Sequence, residues 1–196
     1  MNEYSQRERM LSSRRVYEGR ILNLRVDEVE VKGLSAKREV VEHRAAVGVL
    51  ALTGRSVLLV HQFRYAAGEE TLEICAGLVE KGEDLKEAAI REMQEELGYL
   101  PGALREIGCF YSSPGFCTEL LTLFLAEDLR ASSLPQDQDE DVRTVEIPWE
   151  EIPSLLAQGA VRDGKTFAAL SWFLAWKGIE AEFKPDRKKK PKTGGK

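Results

Sequence analysis

Residues 77–99 read GLVEKGEDLKEAAIREMQEELGY and contain the best helix candidate of the chain. Residues 83–97 within it predict a helix, because acidic residues occupy the first turn and Gly98 follows as a stop signal. Apolar runs on both sides of this helix predict a sheet against which it packs. We predict strands at residues 45–52, 56–63, 72–75, 105–112, 120–126 and 142–147, and further helices at residues 149–158 and 166–177.

Three carboxylates share one side of the predicted helix. At about 100° per residue, Glu92, Glu95 and Glu96 continue the apolar stripe of the helix, whereas Arg91 and Gln94 fall on the opposite, solvated side. Like charges in such a position are costly unless a cation lies among them. Ordinary salt-bridging glutamates are the alternative interpretation, and the spacing of the surrounding residues decides between the two.

That spacing is specific. Gly77 is followed by Glu83, Arg91, Glu92, Glu95, Glu96 and Gly98 in the pattern G-x5-E-x7-R-E-U-x-E-E-x-G-U, where U is a bulky apolar residue. The pattern resembles the Nudix box, from which only Tyr99 at the last U departs mildly. The resemblance implies an α/β fold, the Nudix α/β/α sandwich with a mixed β-sheet, and an enzyme that hydrolyses diphosphate linkages. It also implies that Arg91 and Glu83 orient the helix and its carboxylates.

The box implies a metal. Mg²⁺ prefers oxygen ligands and keeps several waters and substrate phosphates, so carboxylates at neighbouring helix positions suit it without forming a complete cage. By resemblance, Glu92 and Glu96 are the principal ligands, Glu95 is an additional ligand, and the carbonyl of Ala76 is a further one. Two or more Mg²⁺ ions are expected, with Mn²⁺ as an alternative ion.

Two other stretches narrow the family to a branch. Residues 112–119, SSPGFCTE, resemble the SPGxxxE signature of the ADP-ribose pyrophosphatase branch, and VHQFR at residues 60–64 with LEICAG at residues 72–77 resembles its VxQxR…LExxAG run. We therefore expect hydrolysis of ADP-ribose to AMP and ribose 5-phosphate. The expected substrate contacts are Arg64, Glu73, Pro114, Gly115 and Glu119. Taken alone, the Pro-Gly pair would be a plain turn and the arginine an exposed strand end.

Three alternatives to ADP-ribose hydrolysis stay open. The same box serves enzymes for another nucleoside diphosphate sugar, such as GDP-mannose, or for a dinucleotide such as NADH. A non-catalytic Nudix module that binds ADP-ribose is less favoured. Such modules generally lose box carboxylates and carry a DNA-binding domain, whereas this sequence has the intact box and no stretch that fits such a domain.

The general base is expected in the loop LPQDQDED at residues 134–141. One register places the branch's glutamate at Gln138, an amide that cannot accept a proton usefully at neutral pH. Glu140 lies two residues on and shares a face with it in an extended segment. We therefore predict Glu140 as the base that deprotonates the attacking water, with Glu95 of the box as the alternative.

The chain divides into three parts on pattern and charge. Residues 1–42 predict a small antiparallel sheet preceding the Nudix domain at residues 43–183, and residues 184–196 form a basic tail. In this branch the N-terminal sheet is exchanged across a homodimer. The resemblance therefore implies that Arg20 and Ile21 of one subunit border the adenine bound to the other.

Composition limits the partners. The formal net charge of −5 divides into +6 in the tail and −11 in the body, which argues against nucleic acid as a partner and suits a protein that gathers cations. We interpret the tail as a solvated end, with an RNA tether as the alternative.

Three cysteines without a CxxC pair predict reduced thiols in the cytoplasm. No stretch is apolar for the roughly 20 residues that a membrane span needs.

Overall fold

The computed structural model describes residues 8–136 and 141–183. Glu140 and the basic tail therefore lie outside the described residues. Within them the chain forms a three-stranded N-terminal sheet, a larger mixed sheet and helices on both faces of the latter. This is the α/β sandwich with a preceding antiparallel sheet that the sequence predicted. None of the described helices is both long and apolar enough to cross a membrane.

The N-terminal sheet consists of β1 (Arg9–Glu18), β2 (Leu22–Val31) and β3 (Leu34–His43), all antiparallel. Lys32 and Gly33 connect β2 to β3 with φ angles of 53° and 79°. Two consecutive positive φ angles are those of a tight hairpin turn, where glycine is favoured because it lacks a Cβ. Every residue of β1 is exposed.

The strands of the main sheet are β4 (Ala46–Thr53), β5 (Ser56–Arg64), β6 (Glu69–Glu73), β7 (Cys75–Leu78), β9 (Ala103–Tyr111), β10 (Leu120–Glu127) and β12 (Val142–Pro148). The order in this sheet is β12-β5-β4-β10-β9, with β6 paired to β5 and β7 to β4. Only β10 and β4 run parallel among these pairs, so the sheet is mixed. Two short strands pair separately, β8 (Tyr99–Leu100) with β11 (Arg130–Ala131).

The prediction of a single strand at residues 72–75 is wrong, because Ile74 separates two strands, β6 and β7. The residues before Ile74 pair with β5, and the residues after it pair with β4. The N–H of Ile74 donates to the hydroxyl of Thr166 at 2.8 Å instead of to a strand. This switch brings residues of β7 beside the helix that follows it.

The predicted helix at residues 83–97 is two elements. Helix α1 (Leu85–Glu92) begins after Asp84, whose side chain accepts from the N–H of Lys86, and a π-helical turn (Met93–Leu97) continues it to Gly98. We call Met93–Leu97 the π-turn. The predicted helix at residues 149–158 is likewise a 3₁₀ turn (Trp149–Glu151) followed by α2 (Ile152–Ala157), and α3 spans Gly164–Phe183.

Strand β4 shows how the layers form. Val47, Val49 and Ala51 lie in one core cluster with residues of α1, whereas Leu50 and Leu52 lie in the other cluster with residues of α2 and α3. Alternate residues of a strand point to opposite faces, so a strand covered on both faces is apolar throughout. The sheet is therefore the middle layer, and α1 carries its glutamates along one face.

Candidate active site

One cavity of about 1130 Å³ is lined by residues of the N-terminal sheet, the main sheet, α1, the π-turn and the beginning of α3. A single site can therefore draw on segments that are far apart in the sequence. The predicted site residues on its wall are Arg20, Ile21, Arg64, Ala76, Arg91, Glu92, Glu95 and Glu119.

Arg91 is the centre of a group of carboxylates on this wall. Its Nε and Nη2 donate to the two oxygens of Glu83 at 2.8 and 3.1 Å, and its Nη1 donates to Glu92 at 2.7 Å and Glu95 at 2.9 Å. We call these four residues the Arg91 cluster. The hydrogen bond to Glu83 raises the pKa of Arg91 and lowers the pKa of Glu83. The prediction that Arg91 lies on the solvated side is wrong, because its long side chain reaches back to the carboxylates.

Glu92 and Glu96 are almost fully buried, with 7% and 5% of their surface exposed. Glu96 accepts a hydrogen bond from the N–H of Ala76 at 3.1 Å. Glu92 lies against Gly77, where a Cβ would come within 1.9 Å of the carboxylate oxygen. The glycine of the box is therefore required because a carboxylate occupies the space of a side chain.

The Arg91 cluster and Glu96 provide the donors that a hard divalent cation prefers, namely several carboxylate oxygens in a partly buried position. Three carboxylates of the cluster share one guanidinium, so negative charge is in excess. In residues 8–136 and 141–183, however, no three His, Cys, Asp or Glu side chains are grouped to hold a metal ion as they stand. Glu92 and Glu95 hold Arg91, so metal binding requires these carboxylates to turn from it.

Glu73 lies behind the cavity wall, with only 2% of its surface exposed. Arg64 donates to its two oxygens from Nε and Nη2 at 2.7 and 2.6 Å, and Lys165 and the hydroxyl of Thr71 also donate to it. Burial alone would raise the pKa of Glu73, but the hydrogen bond from Arg64 and the charge of Lys165 lower it to about 2. Glu73 thus fixes two cations rather than facing the cavity itself.

Lys165 is the main cavity residue that the sequence reasoning missed. It pairs with Asp163 at 3.1 Å as well as with Glu73, and Asp163 also accepts from the N–H of Thr166 at 2.9 Å at the start of α3. A cation in the first turn of a helix is unfavourable beside the positive end of the helix dipole. Lys165 at this position in the sequence therefore indicated a carboxylate partner. We call Arg64, Glu73, Asp163 and Lys165 the Glu73 cluster.

The loop between β9 and β10 is fixed to the end of β3. The N–H of Val41 donates to the carbonyl of Phe116 at 2.7 Å, and the N–H of His43 donates to the hydroxyl of Thr118 at 2.9 Å. These bonds place Glu119 on the cavity wall, 3.3 Å from Nδ1 of His43. Two other residues of the SPGxxxE stretch, Pro114 and Gly115, are exposed and do not line the cavity of this chain.

The three cysteines, Cys75, Cys109 and Cys117, are free thiols. Burial raises the pKa of Cys75, and the neighbouring charges of Glu96 and Glu92 raise it further. A thiol with a raised pKa is a poor nucleophile at neutral pH. Among the described residues none of the three cysteines lines the cavity, whose charged side chains include carboxylates and fixed cations.

Comparison with known proteins agrees with this geometry. A profile of the NUDIX domain matches residues 42–170. The ADP-ribose pyrophosphatase of Bacillus subtilis (strain 168) is 36% identical over 179 residues, covering 89% of this chain and 97% of the relative. The GDP-mannose pyrophosphatase of Shigella flexneri serotype 5b (strain 8401) is 36% identical over 148 residues, covering 69% and 76%.

A solved structure described as an ADP compounds hydrolase has a TM-score of 0.82 at 22% identity, and the match covers 89% of this chain and 96% of that one. This likeness confirms the fold. The chain belongs to the Nudix family. It is a Nudix pyrophosphohydrolase, as the box predicted, and its resemblance to the ADP-ribose pyrophosphatase branch is confirmed.

Proposed function

We propose that the protein hydrolyses the pyrophosphate bond of ADP-ribose to AMP and ribose 5-phosphate. The observation that carries this proposal is that one cavity is lined both by a carboxylate-rich helix end and by fixed cations. Such a cavity suits a ligand that has a diphosphate between two larger groups. The relative named ADP-ribose pyrophosphatase, which this chain matches over nearly its whole length, supports ADP-ribose as that ligand.

Arg64 and Lys165 are the residues that we assign to the diphosphate. Within the described residues, Arg64 uses Nε and Nη2 on Glu73, which leaves Nη1 for an anion. Lys165 donates to Glu73 and Asp163, and an ammonium has a third donor. Cations whose positions are already fixed lose little entropy on binding a phosphate. We assign Glu119, which lines the same cavity, to the sugar hydroxyls, and Pro114 and Gly115 to the edge of the substrate site.

The metal is proposed to be Mg²⁺, in two or more ions, with Mn²⁺ as an alternative. Family members generally use a divalent metal. Bound ions would screen the diphosphate and lower the pKa of the attacking water. On the protein side, Glu92 and Glu96 would hold the ions from buried positions, with Glu95 and the carbonyl of Ala76 completing the set. Arg91 would keep Glu83 as its partner while Glu92 and Glu95 turn to the metal.

Glu140 is proposed as the general base, although it lies outside the described residues. In one register of the sequence, Gln138 falls at the position of the branch's glutamate, and Glu140 would share its face if the segment were extended. A base loses kcat when it is replaced by its amide, while KM and metal affinity change little. The pH–rate profiles of Glu140→Gln and Glu95→Gln test this assignment. If Glu140→Gln keeps most of its kcat and Glu95→Gln does not, the base lies in the box.

We also propose a homodimer formed through residues 1–42, in the cytoplasm. Strand β1 supports this, because it exposes several large apolar side chains that a partner would cover. Arg20 and Ile21 lie on the cavity wall of their own chain, so an exchanged sheet would place the partner's copies beside the same site. Light scattering of the full chain and of a variant lacking residues 1–42 tests the dimer. The exposed apolar residues of β1 are Met10, Leu11, Val16 and Tyr17.

Product analysis of a substrate panel tests the function. ADP-ribose, GDP-mannose, NADH and ATP are incubated with the protein in Mg²⁺ and in a chelator, and products are separated by chromatography. We expect AMP and ribose 5-phosphate from ADP-ribose, faster than any product from the other compounds and only with the metal. GDP-mannose is the second candidate because of the Shigella relative. Preference for ATP would contradict the branch, and binding of ADP-ribose without products would favour a non-catalytic module.

A further inference from the structure

The C-terminal end of the helix formed by α1 and the π-turn is held by residues that lie outside the Nudix box. The last carbonyls of a helix lack partners within the helix and need other donors. Here the carbonyl of Gln94 accepts from the N–H of Leu134 at 3.0 Å, and that of Gly98 accepts from the N–H of Ser132 at 2.9 Å. Both donors follow β11 along the chain. The π-turn is therefore capped by residues 132–134, directly after β11.

The carbonyl of Glu96 is capped by a side chain. The hydroxyl of Thr144, on strand β12, donates to it at 3.1 Å. Thr144 is paired with Val60 in the ladder between β12 and β5, so its position is set by the main sheet. A second side-chain bond joins Nε2 of Gln94 to the hydroxyl of Ser132 at 2.8 Å.

The opposite side of the π-turn is packed. Met93 is fully buried and Leu97 is 6% exposed in the core cluster that α1 shares with the sheet. A π-turn is a rare conformation that is frequent at functional sites, and strained conformations persist when their surroundings fix them. The core holds one side of this turn, and Thr144 and Ser132 hold the other.

Glu96 is consequently fixed at both ends. Its carboxylate accepts from the N–H of Ala76, and its carbonyl accepts from Thr144. Thr144 is exposed, so without its hydroxyl the carbonyl would take water as its donor and lose a partner whose position the sheet fixes. A rotation of the carbonyl toward solvent would redirect the side chains of Glu95 and Glu96. The hydroxyl of Thr144 thus bears on where the carboxylates point.

We propose that Thr144 is a positioning residue for the metal-binding glutamates, assisted by Ser132 through Gln94. It acts by holding the π-turn in the conformation that directs Glu95 to the cavity wall and the carboxylate of Glu96 to the N–H of Ala76. The proposal rests on the proposed function only in that these glutamates bind a divalent metal. It predicts a defect in metal binding itself, before any nucleotide is present.

The test compares Thr144→Val with Thr144→Ser. Valine keeps the shape of threonine and suits a strand, whereas serine keeps the hydroxyl. Binding of Mn²⁺ to the full chain is measured by calorimetry without nucleotide, and thermal unfolding is measured in a chelator. Loss of one hydrogen bond predicts that Thr144→Val weakens Mn²⁺ binding about threefold to tenfold. Thr144→Ser is expected to stay within about twofold of the wild type on the same argument.

The outcomes separate positioning from simple stabilisation. A purely structural role would lower the melting temperature of Thr144→Val in chelator and leave the Mn²⁺ affinity of the folded protein unchanged, which would overturn the proposal. If Thr144→Val does not fold, Ser132→Ala decides, with a smaller weakening expected and unchanged affinity contradicting the proposal. Wild-type protein that binds no Mn²⁺ would also overturn it. Wild-type protein that binds Mn²⁺ but leaves ADP-ribose intact would contradict only the proposed substrate.

Discussion

The Arg91 cluster and the Glu73 cluster both pair basic side chains with carboxylates, but they differ in charge balance. In the Arg91 cluster one guanidinium serves three carboxylates, Glu83, Glu92 and Glu95. In the Glu73 cluster two cations, Arg64 and Lys165, face two carboxylates. The first cluster therefore has carboxylate charge left over, and the second has none.

This difference shows how one cavity can serve a metal and its anionic substrate together. Excess carboxylate charge attracts a cation, whereas a buried carboxylate matched by two cations holds those cations rigidly and leaves part of their donor capacity for an anion. Changes in or beside the Arg91 cluster should affect metal-dependent turnover. Changes in the Glu73 cluster should affect substrate affinity.

Glu96→Gln removes a buried carboxylate next to the Arg91 cluster. We expect kcat to fall by roughly a hundredfold or more, because an amide is a poor ligand for Mg²⁺. Fold stability in a chelator should not fall, since removing a charge from crowded carboxylates relieves repulsion. Steady-state kinetics and thermal unfolding measure the two effects. Glu87→Gln, on the exposed side of the same helix, is the control and should stay near wild-type activity. Full activity in Glu96→Gln would remove the metal-ligand assignment.

Gly77→Ala places a methyl group where the carboxylate of Glu92 lies. The added Cβ would be 1.9 Å from an oxygen of Glu92, so the carboxylate must move. We expect about a tenfold to hundredfold loss of kcat, as for other changes that displace a metal ligand. Gly178→Ala in α3 is the matched control, because its Cβ meets nothing within 4 Å and alanine favours a helix. Equal activity of both variants would show that the contact at Gly77 has no functional weight.

Glu73→Gln changes the other cluster. It removes the charge that holds Arg64 and Lys165, so both cations lose their fixed positions. We expect KM for ADP-ribose to rise about tenfold, as for the loss of one charged hydrogen bond, with a smaller change in kcat. Glu73→Asp keeps the charge and should recover part of the affinity. A variant with normal KM and low kcat would place Glu73 with the metal machinery and remove the division between the clusters.

The sequence predicted the parts of this site that depend on local spacing. The helix, its stop at Gly98 and the shared side of Glu92 and Glu96 all follow from periodicity and from a motif of fixed length. Projection at a constant angle failed for Arg91, because it treats a side chain as radial and ignores the reach of a long one. It also missed the π-turn, for which the sequence has no recognisable marker.

Only Arg64 and Glu73 of the Glu73 cluster were predicted, because the cluster joins residues that are far apart in the sequence. Glu73 and Lys165 are separated by 92 positions and meet because α3 begins beside β6. No periodicity relates two such residues, and only the resemblance singled out Arg64 and Glu73. The break of the predicted strand at residues 72–75 has the same origin. Its physical reason is the bond from Ile74 to Thr166, which belongs to the same distant helix.

The fourth expected effect concerns stability rather than activity, and it is the dependence of the free energy of unfolding on pH. The pKa of Glu73 in the folded protein is about 2, below its ordinary value of 4.5. A carboxyl whose pKa is lowered by folding contributes stability that is complete above its unfolded pKa and is lost as pH falls through its folded pKa. The free energy of unfolding should therefore fall between about pH 4.5 and 2, by up to about 3 kcal/mol from this group. Urea unfolding of the wild type and Glu73→Gln across this range measures it, and the difference between them should shrink as pH falls. Glu150→Gln is the control, because Glu150 also has a lowered pKa through Arg55 but is an exposed surface pair, which contributes little. If the free energies of unfolding of the wild type and Glu73→Gln differ by the same amount from pH 7 to pH 2.5, the charge of Glu73 does not hold Arg64 and Lys165. The contrast between the two clusters would then rest on packing instead.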